Sequence, residues 1–113
     1  MKKIEAIIKP SKLSNVKDAL HEIGLSGMTV SDVKGFGRQR GQDGGLNSSH
    51  DYDDEFRVKI KIELIIEDKL VEKALEAVKN AAYSGKIGDG KIFVYTIDRV
   101  IRIRTGEKDS DAV

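Results

Sequence analysis

The chain has 113 residues and a mass of 12.5 kDa, with 20 Lys and Arg against 19 Asp and Glu and no cysteine. This length predicts one domain over residues 1–113, large enough to bury one modest core. A net charge of +1 excludes bulk attraction to nucleic acid or anionic lipid, and the missing thiols exclude a disulfide framework or zinc–thiolate chemistry. No apolar run approaches a membrane span, and an acid as early as Glu5 argues against a secretory leader, so a cytoplasmic, reduced setting is expected.

Residues 3–9 alternate Ile4, Ala6 and Ile8 with Glu5, Ile7 and Lys9, the period of a strand. Pro10 ends it, because proline donates nothing to a ladder and suits the approach to a helix. Leu13, Val16, Leu20 and Ile23 then recur at intervals of three and four, an apolar stripe on a helix that Gly24 stops. Residues 28–37 read as a second strand, with Thr29, Val30 and Val33 favouring extended backbone. Val58, Ile60, Ile62, Leu64 and Ile66 alternate with Lys59, Lys61, Glu63 and Ile65 in the clearest strand of the chain. Asp68 reads as the N-cap of a second helix carrying Leu70, Val71, Ala74, Leu75, Val78 and Ala82 and ending at Gly85. Residues 92–97 make a fourth strand and 99–104 a short further extended piece, while the polar tail 106–113 is expected to be mobile.

The order β-α-β-β-α-β predicts an α+β, ferredoxin-like arrangement. Two helices cover one face of four strands. The other face would carry Ile7, Ile65 and either Phe93 and Tyr95 or their neighbours, too apolar to stay wet, which predicts self-association. Residues 38–57 stand apart: no periodicity, three glycines, and five acids against three arginines. Twenty such residues between adjacent strands mark either a functional loop or an inert insertion.

Residues 85–91, Gly-Lys-Ile-Gly-Asp-Gly-Lys, fit the Walker A spacing, but Ile92 stands where a magnesium-binding hydroxyl is required. The run also leaves a helix and enters a strand, the reverse of a P-loop. It is then either a glycine-rich turn or a loop offering amides and ammonium groups to an anion. Lys34-Gly35-Phe36-Gly37 matches the first half of an RNA-recognition signature without its later aromatics. Arg99, Arg102 and Arg104 form either a solvated edge or, with Arg38 and Lys91, an anion pocket spread over three loops. No catalytic constellation is visible: His21 lies off the helix stripe, His50 lies in the long loop, and the acids at 51–55 lack the EF-hand pattern. An RNA-binding module of the same topology and a slow ATPase are the rival functions, the first lacking a basic aromatic face and the second a residue to orient water.

The blocks 1–10, 27–30, 33–39, 85–93 and 99–107 together resemble the PII signal-transduction family from Met1 to Glu107, apart from the long loop. The resemblance implies a non-enzymatic nitrogen-regulation signalling protein, a homotrimer with ATP or ADP in the clefts between subunits. Residues 38–57 would be its T-loop, docking onto a cytosolic or membrane-transporter partner, 85–91 its B-loop and 99–113 its C-terminal segment. By the same likeness, Gly35, Gly37, Arg38 and Gln39 would run along the nucleotide, with Ile7, Thr29 and Glu63 at the adenosine. Gly88, Asp89, Gly90 and Lys91 would meet the phosphates, joined by Arg102 and Arg104 of a neighbouring subunit. Gln39 and Lys59 would take 2-oxoglutarate beside Mg²⁺-ATP, and Tyr52 aligns with a tyrosine that some members have modified. The loop departs from the family pattern in Gly44 to Ser49 and in its acidic run before Lys59, which disfavours a dicarboxylate there and leaves 2-oxoglutarate and modification of Tyr52 open.

Overall fold

The computed structural model describes residues 1–36 and 57–113. It contains β1 (Lys2–Ile8), α1 (Leu13–Glu22), β2 (Thr29–Gly35), β3 (Arg57–Ile66), α2 (Val71–Ala82) and β4 (Lys91–Thr96). The sheet order is β2-β3-β1-β4, with every neighbouring pair antiparallel, as the ferredoxin-like reading requires. Alternation decides which face each strand buries. Ile4, Ala6 and Ile8 of β1 and Ile60, Ile62, Leu64 and Ile66 of β3 meet Val16 and Leu20 of α1 and Val71, Ala74, Val78 and Ala82 of α2.

Pro10 opens a 3-10 turn, Pro10–Lys12, that leads into α1. At the far end of α1, Gly24 has φ +87°, the Leu25 amide donates to Leu20 O and the Gly24 amide to His21 O. That pair of bonds is a Schellman ending, which a left-handed glycine makes inexpensive.

Three expectations need correction. Asp68 is not an N-cap: it begins a 3-10 turn, Asp68–Leu70, and makes no capping bond. Its carboxylate instead pairs with the Met1 ammonium at 2.8 Å, a charge that local sequence reasoning did not weigh. The second helix stops at Ala82 because Tyr83 turns extended, three residues before the expected glycine.

The third correction concerns the chain end. Residues 99–104 are not a strand, and the tail is not loose. Ile101 bridges Lys108, with a turn between them closed by the Gly106 amide donating to Arg102 O at 2.8 Å. Asp109 accepts from the Val100 amide at 3.1 Å and from Arg99 Nε at 3.2 Å, and Ala112 is buried. A segment with this many satisfied bonds has reason to stay folded.

The open face carries Ile7, Ile65, Phe93 and Tyr95, as expected, but also an ionic group. Lys3 Nζ lies 2.8 Å from Glu63 and 3.6 Å from Glu5, 4.9 Å above the Tyr95 ring. Glu63 draws the Lys3 pKa up, and Lys3 draws that of Glu63 down. The face is therefore mixed and not an apolar sheet.

Candidate functional site

A cleft of about 460 Å³ opens at one end of the sheet, lined by Ile7, Gly35, Phe36, Arg57, Lys59, Lys86 and Gly88 to Lys91. β1 contributes the apolar floor at Ile7. β2 ends and β3 begins at its rim, so residues 37–56 join two lining residues, Phe36 and Arg57. The remaining wall is the α2–β4 loop.

That loop is shaped by glycines where side chains do not fit. Gly88 and Gly90 both have φ +99°. A Cβ at Gly90 would stand 1.7 Å from Ile7 O, so the loop lies directly on the β1 backbone. Lys59 reaches across from β3 and donates through Nζ to Gly88 O at 2.6 Å. Burial lowers the Lys59 pKa, and the nearby Lys9 charge lowers it further.

Asp89 accepts from the Ser84 amide at 2.8 Å, from the Gly85 amide at 2.9 Å and from the Ser84 hydroxyl, and pairs with Lys9 Nζ at 3.2 Å. The Ser84 hydroxyl, then these other donors, hold the Asp89 carboxyl far below the usual carboxylate range. Arg57, Lys59, Lys86 and Lys91 thus face a single lining carboxylate whose oxygens are already engaged. Four cations, and backbone amides on a glycine-rich loop, suit an anion of several charges.

Of the residues named by resemblance, Ile7, Gly35, Lys59, Gly88, Asp89, Gly90 and Lys91 come together in this cleft. Thr29 and Glu63 do not. They pair across β2 and β3 in a separate hollow with Lys3 and Ile65, about 13 Å along β3 from Lys59. Arg102 lies at the folded tail, its Nε donating to Ala112 O at 3.2 Å, and neither Arg102 nor Arg104 lines the cleft of the same protomer. Gly37, Arg38, Gln39 and Tyr52 lie outside the described residues.

Sequence reasoning passed over Lys9 and Ser84; Lys86 entered it as one of the two ammonium groups of 85–91, while Arg57 was counted only in the long loop and Phe36 only in the RNA-like motif. Arg57 and Lys86 lie within the two singled-out segments, 38–57 and 85–91, but nothing in the sequence joins those segments in one cleft. Lys9 and Ser84 left no signal, being 75 positions apart. As for Mg²⁺, the described residues contain no group of three His, Asp or Glu able to hold a metal, and the cleft's one carboxylate is spent on the loop. That speaks to a site built from protein groups alone; Mg²⁺ carried on nucleotide phosphates needs no such cluster.

The comparisons agree with this architecture. A family model described as nitrogen regulatory protein P-II matches residues 1–107. The nitrogen regulatory protein P-II of Rhodospirillum rubrum is 62% identical over 113 residues, covering all of both chains, and that of Azospirillum brasilense is 58% identical over the same span. Nitrogen regulatory protein P-II 1 of Escherichia coli is 52% identical, again over the full length of both. A crystal structure of Arabidopsis thaliana PII bound to citrate superposes with a TM-score of 0.81 at 39% identity, covering 99% of this chain and 91% of that one. With the ferredoxin-like sheet and the full-length match in agreement, this chain belongs to the nitrogen regulatory protein P-II family.

Proposed function

We propose that the chain is a non-enzymatic regulator that binds ATP or ADP in this cleft and signals the occupancy to a partner protein through residues 38–57. The observation that carries the reading is the convergence of Arg57, Lys59, Lys86 and Lys91 with the glycine amides of the α2–β4 loop around one cleft of nucleotide-compatible size. Phosphate oxygens accept from such amides and from ammonium groups, and charge-assisted bonds of this kind are the strong ones. The Arabidopsis relative was crystallised with citrate, itself a small polyanion.

The cleft is half of a site. Thr29 and Glu63 on the open face, and Arg102 and Arg104 on the tail, serve the nucleotide once a second subunit supplies them, in a cytoplasmic homotrimer that buries the open sheet face. Because 37–56 springs from the cleft rim, a ligand that binds one arrangement of that segment better than another shifts its population by that difference in affinity. The γ-phosphate separates ATP from ADP and is where such a difference arises. Gln39 and Lys59 are the residues to which 2-oxoglutarate would be referred.

Calorimetric titration with ATP and with ADP tests the reading. Lys91→Ala and Arg104→Ala each weaken binding at least about tenfold, in line with the loss of one charge-assisted contact. Unchanged isotherms in both variants would refute it. The near-neutral charge and family membership favour this regulator over an RNA-binding module.

A further inference from the structure

Asp89 lines a cleft that otherwise gathers cations, an awkward place for a carboxylate if polyanions enter. Its geometry explains the placement. Oδ2 accepts from the Ser84 and Gly85 amides, and Oδ1 accepts from the Ser84 hydroxyl and faces Lys9 Nζ. A carboxylate has about four lone-pair sites, and here four donors fill them. The Ser84 hydroxyl is equally committed: it donates to Asp89 and accepts from Lys9 Nζ at 3.0 Å and from the Lys86 amide at 3.3 Å. Lys9 follows directly on β1, so this knot ties both ends of the loop to the sheet. Gly90 against Ile7 O and Lys59 on Gly88 O are the other two fastenings.

We propose that Asp89, knotted to Ser84 and Lys9, is a positioning residue that holds the α2–β4 loop with its Gly88 and Gly90 amides and the Lys91 ammonium presented to the cleft, and that its carboxylate does not touch the bound phosphates. This rests on the nucleotide reading of the cleft and confines the phosphate contact that resemblance assigns to Asp89 to its backbone. A loop held in its binding shape before the ligand arrives spares the ligand the cost of ordering it. Where only a fraction of molecules is competent, affinity falls by that fraction.

The proposal makes a prediction of opposite sign to simple electrostatics. Were Asp89 only a charge beside the phosphates, Asp89→Asn would remove a repulsion and tighten binding. As a positioning residue its loss frees the loop, so Asp89→Asn weakens ATP and ADP binding about tenfold. Ser84→Ala, which changes no charge and alters a residue that does not itself line the cleft, weakens it to a similar degree. The double variant is little worse than either single one, since all three break one knot. Ser84→Thr restores the hydroxyl and binds within about twofold of the parent. Calorimetry on the full chain reads the affinities, and hydrogen exchange at Gly88 and Gly90 without nucleotide reads the loop, faster in Ser84→Ala and Asp89→Asn than in the parent. Tighter binding by Asp89→Asn, or parent-like affinity and exchange in Ser84→Ala, would overturn the proposal. Should Asp89→Asn fail to fold, the Ser84→Ala and Ser84→Thr pair decides alone. If the parent takes up no nucleotide, the functional reading falls. Exchange still judges the knot in that case, faster in Ser84→Ala supporting it and unchanged overturning it.

Discussion

Gly90→Ala is the substitution with the most sharply defined consequence. The new methyl would lie 1.7 Å from Ile7 O and 2.8 Å from its carbonyl carbon, at a backbone φ of +99°. β1 cannot give way, because Ile7 sits between Lys61 of β3 and Lys91 of β4 in the interior of the sheet. The loop must retreat instead, by about 1.7 Å to reach an ordinary 3.4 Å contact. A left-handed alanine costs about 1–2 kcal/mol, and crowding of this kind about 1–3 kcal/mol more, so about 2–5 kcal/mol in all. Gly85→Ala is the control. It too has positive φ, +82°, but its methyl meets only the exposed Tyr83 side chain, its hydroxyl at 3.0 Å and the nearest ring carbon at 3.3 Å, and that side chain can swing aside. Its cost is therefore the conformational part, about 1–2 kcal/mol. Urea unfolding at one protein concentration should place the Gly90→Ala midpoint about 1 M below that of Gly85→Ala. A retreat of that size also carries the loop amides beyond hydrogen-bond reach of a ligand seated in the cleft, so nucleotide affinity should fall more than about tenfold. Equal midpoints for the two variants, or parent affinity in Gly90→Ala, would refute the backbone contact on which this reasoning stands.

Acid titration gives a second check. The folded-state pKa of Asp89 is depressed, so its contribution is complete above the unfolded carboxylate value near 4 and is withdrawn as pH falls below it. Urea midpoints followed downward from about pH 5 should therefore decline more steeply in the parent than in Asp89→Asn; parallel profiles would remove Asp89 from the account. Deleting residues 109–113 strips Ala112 from its buried site and Asp109 from Val100 and Arg99, and also removes the acceptor of Arg102 Nε. Calorimetry should show a lower melting temperature and weaker nucleotide binding, and a shortened chain that matched the parent in both would contradict the folded tail. Sedimentation equilibrium should report three times the 12.5 kDa protomer mass, a stable monomer being the contrary result.

Most of the secondary structure was legible in the sequence because its cause is local. Side chains alternate along a strand and return every three to four residues on a helix, so the spacing of Ile60, Ile62 and Leu64, or of Val16 and Leu20, already names the element and its buried face. Gly24 could be placed for the same reason, since only its own backbone angle is at stake. Half of the candidate site was legible too, in the cations and glycines at 85–91. The misreadings share a cause. Asp68 follows every local rule for a cap, yet the Met1 ammonium, far off in sequence, outbids the helix for its carboxylate.

What composition and periodicity determined was therefore the order of elements, the face each one buries and the positive character of the 85–91 and 99–104 segments. Only the tertiary structure decided that Lys9 and Ser84 meet at Asp89, that Gly90 must be bare because Ile7 O lies beneath it, and that the tail folds back through Asp109. Periodicity is written between neighbours along the chain. A carboxylate's partners and a glycine's necessity are set by whatever the fold brings within about 3 Å, and that distance has no signature in sequence separation.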